Sequence, residues 1–336
     1  MSKILRNKEL KMKCTKNLTL IILLIFCIMP LISCNKISNS KEISLASNDN
    51  KDNIKKESKK INETKESINL GELKVSFIDV GQADSILVQQ GNNSMLIDGG
   101  NKEDGSLVKE YISKQGVQNL DVVIGTHPHE DHIGGLSYIM STFKVGKIYL
   151  PEKTATTKIY KNLITTIKNE NITTIKAKIG EQFYIGKAKC TILAPRKEYD
   201  KMNDNSIVLK VEFGEKTFLF TGDAEATSEM DMVKAGSLNT VDLLKVGHHG
   251  SKTSSCIYFL KTITPKYAVI SVGKDNKYGL PNESALKRLK QVNAEIYRTD
   301  KSGTIVATSH GKSINFNTKP VSYDELIKEN KKRNVK

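Results

Sequence analysis

Three of the six histidines in the chain fall within six consecutive positions, in the string Thr126-His127-Pro128-His129-Glu130-Asp131-His132-Ile133-Gly134-Gly135. The string follows an apolar run, Asp121–Thr126, with the pattern of a buried strand, and precedes a segment that reads as a helix. Side chains two apart on extended backbone point the same way, so His127 and His129 can reach one ion. Once the chain turns, Asp131 and His132 can face a second ion alongside. Neutral imidazole and carboxylate together suit zinc, manganese or iron. Gly134 and Gly135 are expected to let the backbone turn tightly into the helix. The pattern predicts a metal centre at the end of a buried strand, completed by side chains from distant parts of the chain.

The N-terminal region belongs to another category. Six Lys and Arg stand against Glu9 before an apolar run, Leu18–Ile32, broken only by Thr19 and Pro30. A basic head and a short apolar run read as an export signal; a stable span needs about 20 apolar residues. The run ends in Leu31-Ile32-Ser33-Cys34, which resembles the lipobox of bacterial lipoproteins. That resemblance implies removal of residues 1–33 as a signal peptide and lipidation of Cys34, with an uncleaved anchor as the alternative. Either way the bulk of the protein is expected outside the cytoplasmic membrane. Residues 34–70, rich in Lys, Asn, Ser and Glu without apolar periodicity, read as a disordered tether. Such a tether reaches on the order of 30–35 Å. With Cys14 and Cys27 gone with the signal, only Cys190 and Cys256 remain in the globular part, which excludes a disulfide scaffold. The net charge of +15 falls by about five with the signal, and the remaining excess favours a polyanionic partner.

From Leu70 onward short strands and turns begin. Strands are expected at Leu73–Asp79, Ser85–Gln90, Ser94–Asp98, Asp121–Thr126, Lys147–Leu150, Ala188–Ala194, Ser206–Phe213, Thr217–Thr221, Val241–Val246, Tyr267–Ser271, Glu295–Arg298 and Thr304–Thr308. Helices are expected at Ser106–Lys114, Gly135–Thr142, Thr157–Asn169, Glu225–Val233, Thr253–Thr262 and Ser284–Gln291. The early strands form a meander and the later ones alternate with helices, which predicts an α+β fold of two sheets faced by helices. The globular domain is placed at residues 71–318, with a charged tail over residues 319–336.

The histidine string resembles the HxHxDH motif of the metallo-β-lactamase superfamily, and three further segments follow that family's order. Leu96-Ile97-Asp98-Gly99-Gly100 resembles its strand-end Asp, Phe218–Asp223 its metal-bridging carboxylate, and Gly247-His248-His249-Gly250-Ser251 its last histidine. A closer resemblance is to the extracytoplasmic hydrolase domain of ComEC-type competence proteins and their free-standing lipoprotein relatives. It is carried by Phe77–Ser85, the histidine string, Asn203-Asp204-Asn205-Ser206, Lys245–Ser251 and Tyr297-Arg298-Thr299-Asp300, over about Leu73 to Thr308. Like that group, the chain has no His between His132 and His248. Two positions depart from it: Ala83 stands for the usual Gly, and Leu280 stands before Pro281 where His is common. Nothing in the chain resembles the many membrane spans of the competence channel.

The resemblance implies an αββα sandwich holding two divalent ions, zinc or else manganese, about 3.5–4 Å apart around a shared, acidified water. His127, His129 and Asp223 would hold one ion; Asp131, His132, Asp223 and either His248 or His249 the other. The spare histidine would bind substrate or protonate the leaving oxygen, so Asp131, His248 and His249 are the catalytic candidates. Asp79 and Asp98 are expected to be structural. Ser251 or Thr253 is expected to cap the helix Thr253–Thr262, giving a phosphate-oxygen site at its N-terminus. Ser251, Lys252, Arg298, Asn205 and Ser206 are candidate substrate contacts, with Lys245 adding charge, and His310 is expected to be exposed. These expectations describe a monomeric, membrane-anchored phosphodiesterase for DNA or a wall or lipid phosphodiester. The rival readings are a carboxylic-ester, lactone or β-lactam hydrolase, and a non-catalytic nucleic-acid-binding lipoprotein related to DNA uptake.

Overall fold

Alternation of apolar side chains along short strands gives each sheet two faces to bury, and the chain covers both. In the computed structural model, which describes residues 70–323, 325 and 326, fifteen strands form two mixed sheets. The first has the order β15-β14-β1-β2-β3-β4-β5-β6, built from β1 Leu73–Phe77, β2 Ile86–Gln90, β3 Asn93–Ile97, β4 Asn119–Ile124, β5 Lys144–Leu150, β6 Thr173–Lys176, β14 Ile305–Ser309 and β15 Ile314–Phe316. The second runs β13-β12-β11-β10-β9-β8-β7, from β7 Gln182–Ile185, β8 Ala188–Ala194, β9 Val208–Phe213, β10 Lys216–Phe220, β11 Leu243–Lys245, β12 Tyr267–Ile270 and β13 Glu295–Arg298. In each sheet antiparallel pairs give way to parallel ones: β3, β4, β5 and β6 in the first, β10, β11, β12 and β13 in the second.

The inner faces meet. Val75, Phe77, Val88, Met95, Ile97 and Ile124 of the first sheet pack in one cluster with Ile192, Leu209, Val211, Phe218, Phe220 and Val269 of the second. Full burial of side chains of this size is worth roughly 1.5–3 kcal/mol each, so this cluster fixes how the sheets face one another. On the outer side of the first sheet, Leu87, Leu96 and Val123 meet Val108 and Ile112 of α1 (Gly105–Lys114), Ile133 of α2 (Glu130–Ile133), Leu136 and Ile139 of α3 (Leu136–Met140) and Leu163 of α4 (Lys158–Asn169). The second sheet is covered by α5 (Ala226–Lys234), α6 (Ile257–Ile263) and α7 (Glu283–Gln291), through Met232, Phe259, Leu260, Leu286 and Leu289. A short α8 (Thr299–Ser302) follows β13. The result is the expected αββα sandwich.

Several local expectations are corrected. Strands β6, β7 and β15 are not among the expected ones: Thr173–Lys176 buries none of its residues, Gln182–Ile185 exposes alternate ones at the second sheet's edge, and Ile314–Phe316 is only three residues long. The helix expected at Thr253 begins at Ile257, with Cys256 as its N-cap. Contacts with the second sheet continue past residue 318: Val321 donates its N–H to Ile296 O at 2.7 Å, Tyr323 Oη donates to Ala294 O, and Leu326 is buried with side chains of that sheet's helices. Among the described residues no helix is long and apolar enough to cross a membrane. The expected signal, Cys34 and the tether lie outside the described residues.

Candidate metal centre

Parallel strands deliver their carboxyl ends to one edge of a sheet, and ligands gather there. Asp98 follows β3, His127–His132 follow β4, Asp223 follows β10, and His248 and His249 follow β11. Because the two sheets face each other, all four segments meet.

The loop carrying His127–His132 is fixed from below by Asp98. Its Oδ1 accepts Thr126 N–H at 2.8 Å, and its Oδ2 takes Thr126 Oγ1 at 2.8 Å and His132 Nδ1 at 2.8 Å. That last bond commits the His132 proton to Nδ1 and leaves Nε2 to face the pocket. Gly134 and Gly135 serve close approach, since neither has positive φ. A Cβ at Gly135 would collide with the carbonyl oxygen of Gly99, and one at Gly134 with the backbone of Lys102.

Asp131, His132, Asp223 and His249 form one group whose ligand atoms all lie within 4.8 Å of one another. His132 Nε2 and Asp223 Oδ1 are 3.3 Å apart, both buried and both without a hydrogen-bond partner. Buried polar atoms are rarely left so, and a cation between them would satisfy both. Beside this group, His127 Nε2 lies 3.0 Å from His129 Nδ1 and 3.9 Å from Asp223 Oδ2. Two nitrogens on one tetrahedral zinc stand about 3.3 Å apart for bonds of 2.0–2.1 Å. The donor set therefore fits a cation among Asp131, His132, Asp223 and His249, and His127 and His129 offer further donors on the other side of Asp223.

The electrostatics agree. Burial opposes ionisation of Asp131 and Asp223, yet the adjacent His132 and His249 outweigh it and hold both carboxyls below their ordinary range. Burial likewise works against charge on His249, but Asp223, Asp84 and Asp131 raise it to about 10, and the acids raise His132 as well. Burial and the neighbouring His132 keep His127 neutral. This pocket favours positive charge at its centre, which a bound cation would supply in place of those protons.

The adjacent histidines part company. Both adopt left-handed backbone, with φ of 50° and 52°, which is uncommon outside glycine and points to a constrained site. His249 turns inward, its Nδ1 facing Ser271 O at 3.0 Å and its Nε2 facing Asp131 Oδ2 at 3.2 Å. His248 stays at the rim, 27% exposed, with Nε2 3.7 Å from Asp223 Oδ2 and Nδ1 3.4 Å from Glu225 Oε1.

The expected substrate contacts fare less well. Arg298 is buried in a two-pronged ion pair with Asp300, through Nε–Oδ1 at 2.9 Å and Nη2–Oδ2 at 2.6 Å. Asn205 turns inward to bond the backbone of Tyr199 and Lys201. Ser206 Oγ accepts the N–H of Asp223 at 3.1 Å, so it positions that acid. Lys245 is buried with Nζ 2.7 Å from Asp84 Oδ2. Ser251 Oγ pairs with Thr253 Oγ1 at 2.9 Å and caps no helix, so the expected helix-terminal phosphate site is absent here. Lys252 alone of the five projects into solvent. Asp79 accepts Gly81 N–H in the bend after β1, and His310 is exposed beside Glu72.

Asp84, Asp98 and His132 make a second cluster with metal-ligand chemistry. The Lys245 ammonium already sits where a cation would meet Asp84, and Thr126 and His132 engage Asp98; this cluster supports the centre from behind. Asp84 and Glu225 were unassigned in the sequence. Asp84 lay in the singled-out run Phe77–Ser85, and Glu225 stands two residues after Asp223. Glu229 of α5 accepts the N–H groups of Ser255 and Cys256, and Arg288 of α7 donates to the carbonyls of Lys252, Ser254 and Ser255. Together they clamp the segment after His249.

Comparison with known proteins supports the fold. A model of the metallo-beta-lactamase superfamily matches residues 78–158. The chain is 30% identical over 255 residues to ComE operon protein 3 of Bacillus subtilis, covering 70% of this chain and 33% of that protein. It is 29% identical over 238 residues to Recombination protein 2 of Haemophilus influenzae, covering 69% and 28%. The chain thus spans about a third of the length of these relatives. The crystal structure of the metallo-beta-lactamase fold protein YhfI from Bacillus subtilis superposes with a TM-score of 0.50 at 17% identity, over 71% of this chain and 100% of that one. The chain carries a metallo-β-lactamase-superfamily domain with that superfamily's fold, and in sequence it resembles part of the ComEC-type competence proteins.

Proposed function

We propose that the domain is a metal-dependent hydrolase acting on phosphodiesters at the outer face of the cytoplasmic membrane, tethered there through Cys34. The observation that carries the hydrolytic reading is the pair of orphaned atoms, His132 Nε2 and Asp223 Oδ1, facing each other in a buried ring of acids and imidazoles. His127, His129 and Asp223 would hold one divalent ion, and Asp131, His132, Asp223 and His249 the other. When bound, such ions acidify water and polarise a phosphoryl oxygen. The chain's own residues do the rest. Asp98 and Ser206 hold His132 and Asp223 in register. His248, its Nδ1 facing Glu225, presents Nε2 at the mouth of the site, where it can hand a proton to a departing oxygen.

The phosphodiester preference rests on the resemblance, on the basic balance of the chain and on the lack of any His between His132 and His248. The substrate is DNA or a wall or lipid phosphodiester, and the protein acts as a monomer. With zinc or manganese added, the chain should turn over bis-p-nitrophenyl phosphate and leave nitrocefin and a homoserine lactone intact. His129→Ala should abolish that turnover while the fold survives. Hydrolysis of the lactone or nitrocefin instead would replace the phosphodiester reading with the carboxylic one.

A further inference from the structure

We propose that Asp84, held by Lys245, is the positioning residue that aims His249 into the centre, completing the ion site on the Asp131/His132 side. The proposal rests on the two-ion reading above and assigns the run Phe77–Ser85 a task within it.

Asp84 touches both halves of the molecule. Its N–H donates to Asp131 O at 3.0 Å and its carbonyl accepts Gly100 N–H at 2.8 Å, so its backbone is tied to the metal loop and the turn after β3. Its side chain reaches the second sheet. Oδ2 lies 2.7 Å from Lys245 Nζ at the end of β11, and Oδ1 lies 3.4 Å from His249 Nδ1. Lys245 Nζ is pinned again by Val246 O at 3.0 Å.

Both partners of this ion pair are buried, with Asp84 1% and Lys245 0% exposed. Such a pair returns little stability once desolvation is counted, and apolar residues of equal size would serve the fold as well. Direction is what it supplies. The His249 ring stands on left-handed backbone; its Nδ1 is hydrogen-bonded to Ser271 O, and the Asp84 carboxylate lies beside that bond as a charge partner, without a hydrogen bond of its own on Oδ1. Ser271 O takes the Nδ1 proton at 3.0 Å, and the Asp84 charge 3.4 Å away on the same side favours that proton staying there, so Nε2 is left to face Asp131 Oδ2 and Asp223 Oδ1, at 3.2 and 3.8 Å. With Oδ2 engaged by Lys245, Asp84 stays behind the histidine and does not compete as a ligand. On the other half of the centre, His127 Nδ1 faces Thr126 Oγ1 at 3.2 Å. Loss of Asp84 should therefore weaken one ion and spare the other.

The test is a zinc titration of the detergent-solubilised full chain against a chromophoric chelator. Wild type should take two zinc ions. Asp84→Asn/Lys245→Met removes both charges together and leaves no lone buried charge; it should bind one zinc roughly 10–100-fold more weakly and the other unchanged. Asp84→Asn alone should show the same selectivity. Equal weakening of both ions, or none, would overturn the proposal while leaving the metal centre standing. Failure of the double variant to fold would overturn it too, since the pair would then be holding the fold and not the ligand. A wild-type chain that takes up no zinc would sink both readings.

Discussion

Asp131 Oδ2 and His249 Nε2 lie 3.2 Å apart although 118 residues separate them in the chain. One follows a strand of the first sheet and the other a strand of the second, so the centre forms only when the inner faces have closed on each other. His249 is fully inside and His248 is at the rim, which separates their expected phenotypes. His249→Ala should leave about one ion per chain in elemental analysis, with turnover lost. His248→Ala should retain both ions and lose turnover by about 10²–10⁴-fold, the usual worth of a positioned proton donor. Equal metal loss in the two variants would contradict the division of labour.

The same closure would make a bound metal a fold stabiliser. Each ion that binds the closed centre and not the unfolded chain adds about 4 kcal/mol when free metal stands at a thousand times its dissociation constant. Chelator treatment should lower the melting temperature in calorimetry, and zinc should restore it. A melting temperature indifferent to both would mean that no ion is held at this site.

That the candidate donors of the first half would lie together was legible because they are local: His127, His129, Asp131 and His132 sit within six positions on a strand end. Asp223 and the His248-His249 pair were legible only through the order of the segments. The choice between the two histidines was not, because it depends on backbone turning left-handed at both residues and on Ser271 waiting behind one ring. Arg298 and Asn205 misled for a related reason. A charge or amide beside a site reads the same in sequence whether it faces substrate or an internal partner, here Asp300 and the Tyr199–Lys201 backbone. The edge strands β6 and β7 were lost because three of four residues of the first and two of four of the second meet water.

Asp98 offers a direct probe of the support beneath His132. Its φ of 59° is one that Asn also tolerates, so Asp98→Asn changes chemistry and not backbone. An amide nitrogen would replace one of two oxygens that now accept Thr126 N–H, Thr126 Oγ1 and His132 Nδ1. The mismatch should cost about 1–3 kcal/mol of stability in denaturant titration. It should also weaken metal binding by roughly 10–100-fold. A variant with wild-type metal affinity would remove Asp98 from the support of the centre.

Glu229 gives a pH dependence of defined sign. It is fully buried, and burial pushes its carboxyl from 4.5 up to about 7, outweighing the N–H groups of Cys256 and Ser255 and the nearby Arg288. Between these values the folded protein keeps a proton that the unfolded chain releases, so stability falls as pH rises through the window. At 1.36 kcal/mol for each pKa unit the loss is about 3 kcal/mol. The contribution is complete above pH 7, where both states are ionised. Glu229→Gln cannot titrate, and a constant penalty for its amide facing a backbone N–H cancels in the slope. The unfolding free energy of wild type minus that of the variant should therefore decline between pH 4.5 and 7 and level off above it. A difference that is flat, or that climbs across that interval, would show that the two backbone donors hold Glu229 ionised in the folded protein despite its burial.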